Sequence, residues 1–124
     1  MNRQEMAIRV RNIAEAIVYE KGYVSAVDLF IRMDKLSVKD HEKWRKRQVP
    51  YLERGIMGNL KQLSYIMKEL RSYAQNRGLK PSWTYYYSWG KGPKVKLQFS
   101  KYGDPSVEKI YATHFVDAKR LNKQ

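Results

Sequence analysis

The stretch WTYYYSWGKGPKVKLQFS, residues 83–100, decides how this chain is read. Aromatic residues crowd one side of Gly90-Lys-Gly-Pro93, and Val95, Leu97 and Phe99 alternate with Lys94, Lys96 and Gln98 on the other. Period-two alternation across a glycine-containing turn predicts an antiparallel β-hairpin. Its buried side is expected to set Trp83, Tyr85, Tyr87 and Trp89 against Val95, Leu97 and Phe99. Thr84, Tyr86 and Ser88 then share the open side with the lysines.

Upstream of the hairpin the pattern is helical. Ile8, Ile13, Ala14, Ile17 and Val18 recur at three- and four-residue spacing, which predicts a helix over Arg3–Lys21 with Gly22 as a left-handed C-cap. Ser25-Ala-Val-Asp28 and Ser37-Val-Lys-Asp40 each resemble a capping box with Asp in place of Glu. They open short helices over about 26–33 and 38–47, joined by Asp34-Lys35-Leu36, a spacing that a helix-turn-helix permits. Pro50 suits the first turn of a long helix over about 51–76. Leu52, Ile56, Leu60, Leu63, Ile66, Met67, Leu70 and Ala74 are its apolar stripe, and Gly55 and Gly58 mark a kink or a close crossing. Arg54, Lys61 and Lys68 fall on the opposite side, as a solvated face or as phosphate contacts.

Downstream, Asp104 and Pro105 suit the N-cap and first turn of a helix to about Ala112. Thr113-His-Phe-Val116 reads as a short third strand, and 117–124 as a flexible C-terminal tail. The fold expected is α+β: one basic domain over 1–116, mainly helical with about four to five helices, carrying an antiparallel β-hairpin in a winged-helix-like arrangement.

Composition narrows the function. With 124 residues, 43% of them hydrophobic and 13% aromatic, the chain supports one real core. It has no cysteine, hence no disulfide and no thiolate metal site. Arg9, Arg11 and Glu15 interrupt any signal-peptide core, and no apolar run approaches a membrane span, so a cytoplasmic protein without membrane partners is expected. The net charge of +13 is unevenly spread: Lys43 to Lys101 hold fourteen Lys/Arg against Glu53 and Glu69, and 70–103 contains no carboxylate. Such a block repels itself and points to a polyanionic partner, phosphate backbone being the commonest.

Two basic clusters could meet that partner. Lys91 and Lys94 sit at the hairpin tip, with Lys96 and Tyr86 on the open face and Lys101 just beyond. Exposed backbone at Gly90 and Gly92 would allow phosphates close approach. Equally, lysines on a ribbon discourage edge pairing. Lys43, Arg45, Lys46 and Arg47 come late in their helix, which favours phosphate contact over base readout. The aromatics also suit stacking on single strands, Tyr86 foremost, although period-two spacing is what a half-buried strand requires anyway.

Catalysis finds little support. His41 and His114 are far apart and outside metal-ligand motifs, and Asp40, His41 and Glu42 point different ways from one helix. No phosphate-loop or nucleophile-elbow pattern occurs, so neither an enzyme nor a cofactor is expected.

Tyr51-Leu-Glu53-Arg54, Leu79-Lys-Pro-Ser82, Trp89-Gly-Lys-Gly92, Phe99-Ser-Lys-Tyr-Gly-Asp104 and Tyr111-Ala-Thr-His-Phe115 together resemble a group of small uncharacterised bacterial proteins, over roughly 24–115. That resemblance implies no function. The fold-level likeness to winged helix-turn-helix domains is separate, and the long helix between the two short helices and the hairpin departs from it. The function expected is nucleic-acid binding, duplex DNA ahead of RNA, with a homodimer left open. The alternative is a non-enzymatic assembly protein whose basic face meets an acidic partner or an RNA–protein particle.

Overall fold

The computed structural model describes residues 2–121. Helix α1 (Arg3–Lys21) starts at Asn2, whose side chain accepts the Glu5 N–H, and stops at Gly22 in the left-handed region (φ 82°). It buries Met6, Val10, Ala14, Ile17 and Val18, one stripe at helical spacing. Strand β1 (Tyr23–Ser25) leads into α2 (Ala26–Arg32), and after Leu36 follows α3 (Val38–Arg45). Both expected serine caps form: Ser25 and Ser37 accept the N–H of Asp28 and Asp40 and donate to those carboxylates, each at 2.9 Å.

The long helix expected over 51–76 is interrupted. Leu52–Gly55 form one 3-10 turn, the chain extends through Ile56, and α4 restarts at Leu60–Arg77. Gly58 at φ +121° takes a backbone shape that an L side chain strains to adopt, and Asn59 caps the new start by accepting the Gln62 N–H. Leu52 and Ile56 still enter the core, but through the turn, while Leu60 is exposed. Helix α4 packs along α1, where Tyr73 and Arg77 both bond Glu15 and Tyr65 bonds the Arg3 carbonyl.

From α4 the chain passes Gly78 into β2 (Lys80–Trp83), and later α5 (Pro105–Ala112) runs into β3 (Thr113–Val116). The strands form one antiparallel sheet in the order β1-β3-β2, with Val24 opposite Phe115 and Ser82 opposite His114. Asp117 is tied to Gly22 by a backbone bond of 2.8 Å, and one helical turn, α6, covers Ala118–Leu121. The remainder of the expected tail lies outside the described residues. The architecture is therefore a small α+β domain. Among the described residues no helix is long and apolar enough to cross a membrane.

The 85–99 hairpin is an irregular ribbon with a corrected phase. Tyr87 pairs with Lys96, Ser88 N–H bonds the Val95 carbonyl and Leu97 N–H bonds the Tyr86 carbonyl. Leu97 and Phe99 face inward as expected, whereas Tyr87 and Trp89 are exposed and Tyr86 and Ser88 turn in. Trp83 belongs to β2 instead of the ribbon, and it too is exposed. Over 86–89 the shift is one residue, which exchanges the two faces, while Tyr85 still packs on the core and Val95, expected inward, is exposed. Tyr86 decides it, because its ring fits among Trp44, Phe99 and His114.

Candidate nucleic-acid interface

Acidic residues in the basic half are turned to internal use. Glu53 accepts the Lys101 N–H and the Tyr111 hydroxyl. Glu108 accepts the N–H of Phe99 and Ser100 and the Ser100 hydroxyl, at 2.7 to 2.9 Å. Among the described Lys and Arg of 43–101, only Lys46 (to Glu42) and Arg77 (to Glu15 and Asp117) reach a carboxylate. The remaining cations contact no carboxylate among the described residues.

The clearest alignment of polar groups lies on α4. Lys61, Ser64, Lys68, Arg71 and Gln75 are all exposed and recur at three- and four-residue spacing. They form one stripe about 21 Å long without a carboxylate. Beside it runs a groove of about 490 Å3 between α4, β2, α5 and β3. Lys68, Arg71 and Lys109 supply its charge, and among the described residues no acidic side chain lines it. The Lys109 ammonium lies 4.5 Å from the centre of the Trp83 ring, which is half exposed. Arg71 follows from Lys68 by helical spacing alone, but Trp83 and Lys109 meet through tertiary structure that no local signal announces.

The other expected site residues scatter. Lys61 borders a hollow with Arg3 and Tyr65 at the start of α4. Arg54, on the 3-10 turn, belongs to a different element from Lys61 and Lys68, so the single face expected for the three does not exist. Lys43 is partly buried; Lys46 and Arg47 are exposed, and Arg47 has left the helix in a left-handed conformation (φ 62°). Arg45 points inward, 4.4 Å over the Tyr86 ring, and its Nη1 donates to the Tyr87 carbonyl at 2.9 Å. Tyr86 is a packed ring instead of an open-face one, and burial raises its pKa to about 12.

Lys91 lies at the exposed tip, and the Lys94 ammonium donates to the Gly90 carbonyl at 3.1 Å. Lys96 covers the Tyr85 ring at 3.8 Å, and Lys101 lies over Tyr102 at 5.3 Å. Neither a protein-family model, nor a curated protein, nor a solved structure matches this chain.

Proposed function

We propose that the protein binds nucleic acid, duplex DNA ahead of RNA, with α4 presented to the major groove and the ribbon lysines on flanking phosphates. The carrying observation is the carboxylate-free stripe of Lys61, Ser64, Lys68, Arg71 and Gln75 on one exposed face. A helix fits the major groove, and these are side-chain types that bond phosphates and base edges there. In a winged helix-turn-helix the helix preceding the strand pair is the one offered to DNA. Helix α4, packed on α1, precedes β2 and the basic ribbon in the order of elements, although α5 separates β2 from its partner β3. This reading moves the recognition role from α3, whose Arg45 turns inward and whose Lys46 is paired.

Salt-dependent titrations against duplex DNA, single-stranded DNA and RNA test the proposal. Combining Lys68→Glu with Arg71→Glu removes two exposed cations and should flatten the slope of log affinity against log salt by up to about 1.8. Folded wild-type protein that binds none of the three would refute it. Selective capture of an acidic protein would then favour the assembly reading.

A further inference from the structure

A second concavity, of about 770 Å3, opens between α1, α2, α3, the ribbon and β3, and shares no lining residue with the groove beside α4. The partly buried Arg45 guanidinium forms part of its wall, over Tyr86 at 4.4 Å and Trp89 at 5.2 Å. Among the described residues no carboxylate pairs with it: Nη1 meets the Tyr87 carbonyl and Nε lies 3.4 Å from His41 Nε2. The Asp28 carboxylate acts on Arg45 through space without a direct contact, and a partly desolvated cation so placed favours an incoming anion. Lys94 lines the same cavity, and the one carboxylate among its described lining residues, Asp28, is bonded to Lys21 and Ser25.

Both histidines, remote in sequence, line this space. His41 Nε2 accepts from Arg45, so its proton is on Nδ1. His114 Nδ1 faces the Ala112 carbonyl at 3.0 Å, and a carbonyl only accepts, so Nδ1 carries a proton, while Nε2 lies 3.4 Å from the Tyr86 hydroxyl. The cavity thus presents the Arg45 guanidinium, the exposed Lys94 on the ribbon, and the two histidine rings, with Lys21 held by Asp28. Trp89 and Tyr87 line it at 49% and 47% exposure. Arg45 overlies the Trp89 ring and His41 meets it at 5.7 Å in a T-shaped contact, and the exposed half is what a planar ring could meet.

We propose that this cavity binds a nucleoside monophosphate, its phosphate at Arg45 and Lys94 and its base against Trp89. The nucleotide is either free or the terminal unit of a strand. The volume lies within the range typical of small-ligand sites, and the combination of an aromatic rim with a guanidinium that contacts no carboxylate among the described residues selects a ring that carries an anion.

Calorimetric titration with AMP, adenosine and inorganic phosphate tests it. AMP should bind at least about tenfold tighter than either part, since the site grips both. Comparing AMP with 5′-phosphorylated and unphosphorylated oligonucleotides of the same base tells a free-nucleotide site from a strand-end site. Lys94→Ala and Trp89→Ala alter side chains that the fold leaves exposed, and each should weaken AMP about threefold to tenfold. Arg45→Gln should abolish binding; because Arg45 also bonds the ribbon, it is read only if the circular dichroism stays native. AMP binding no better than adenosine, or unchanged in both Lys94→Ala and Trp89→Ala, overturns the proposal. Lys68→Glu with Arg71→Glu should leave AMP affinity intact, so this site and the α4 face fail independently.

Discussion

The fully buried phenol of Tyr111 donates a 2.7 Å hydrogen bond to one oxygen of Glu53, whose other oxygen accepts the Lys101 N–H. One carboxylate thereby fastens α5, the 3-10 turn and the end of the ribbon. Tyr111→Phe should cost about 1–3 kcal/mol, and Glu53→Ala more, because it orphans a buried hydroxyl and a backbone donor. Urea unfolding with an unchanged m-value measures both. A Tyr111→Phe protein with the wild-type midpoint would show that the bond contributes nothing net.

Buried phenols should also set the alkaline limit. Burial raises Tyr86 to about 12, and burial followed by Glu53 raises Tyr111 higher still, from the usual 10.0. Both neutral forms are favoured in the folded state, so their stabilisation is full below pH 10 and is lost as pH rises through the folded values. Phenolate absorbance from these two should appear together with unfolding, and Tyr86→Phe should soften the alkaline fall in melting temperature. Complete ionisation near pH 10 in a native protein would contradict this.

His41 acts on the acid side. Burial, then the Arg45 charge, lowers its pKa from 6.5, so the folded state prefers the neutral ring. The stabilisation is present above pH 6.5 and declines as pH falls toward the folded value, because the unfolded chain takes the proton first. His41→Gln should flatten the fall of melting temperature with pH below 6.5. An unaltered slope would mean the imidazole charges without penalty.

The faces of α4 separate by stability. Leu63 and Leu70 are buried while Lys61 and Lys68 are exposed. Leu63→Ala and Leu70→Ala should each cost about 2–5 kcal/mol, and Lys61→Ala should barely move the melting temperature. Equal losses from leucine and lysine changes would reverse the orientation of the helix.

Replacing Lys91, Lys94 and Lys96 together by Glu should leave the far-UV spectrum native. If three phosphate contacts disappear, the salt slope on duplex DNA should flatten by up to about 2.7 and by the same amount on unrelated sequences. A folded triple variant with an unchanged slope would confine binding to α4.

What the sequence disclosed was whatever local chemistry determines. Asn2 apart, the helix ends at Gly22, Ser25, Ser37, Asp104 and Pro105 follow from caps that act within one turn. The break near Gly58 was signalled by the glycines, yet a continuous apolar stripe concealed that Leu52 and Ile56 reach the core from a separate turn. Alternation in 83–89 revealed a period without its phase, because aromatics occupy both parities and only the distant Trp44 and His114 select Tyr86. The inward Arg45, the Trp83–Lys109 contact and the meeting of His41 with His114 rest on partners far along the chain, beyond any local pattern.

The strand that completes the sheet is the last of the three to be synthesised. β1 and β2 pair only with β3 and never with each other. While the ribosome has yet to release Thr113–Val116, the nascent chain holds capped helices and two unsatisfied strand edges. Such edges are templates for pairing with other chains, and closing a loop from Val24 to Phe115 is slow by its length. Commitment to the native state therefore falls after translation of nearly the whole domain, and ribosome-stalled chains ending at Ala112 should leave the Val24 amide open to solvent exchange.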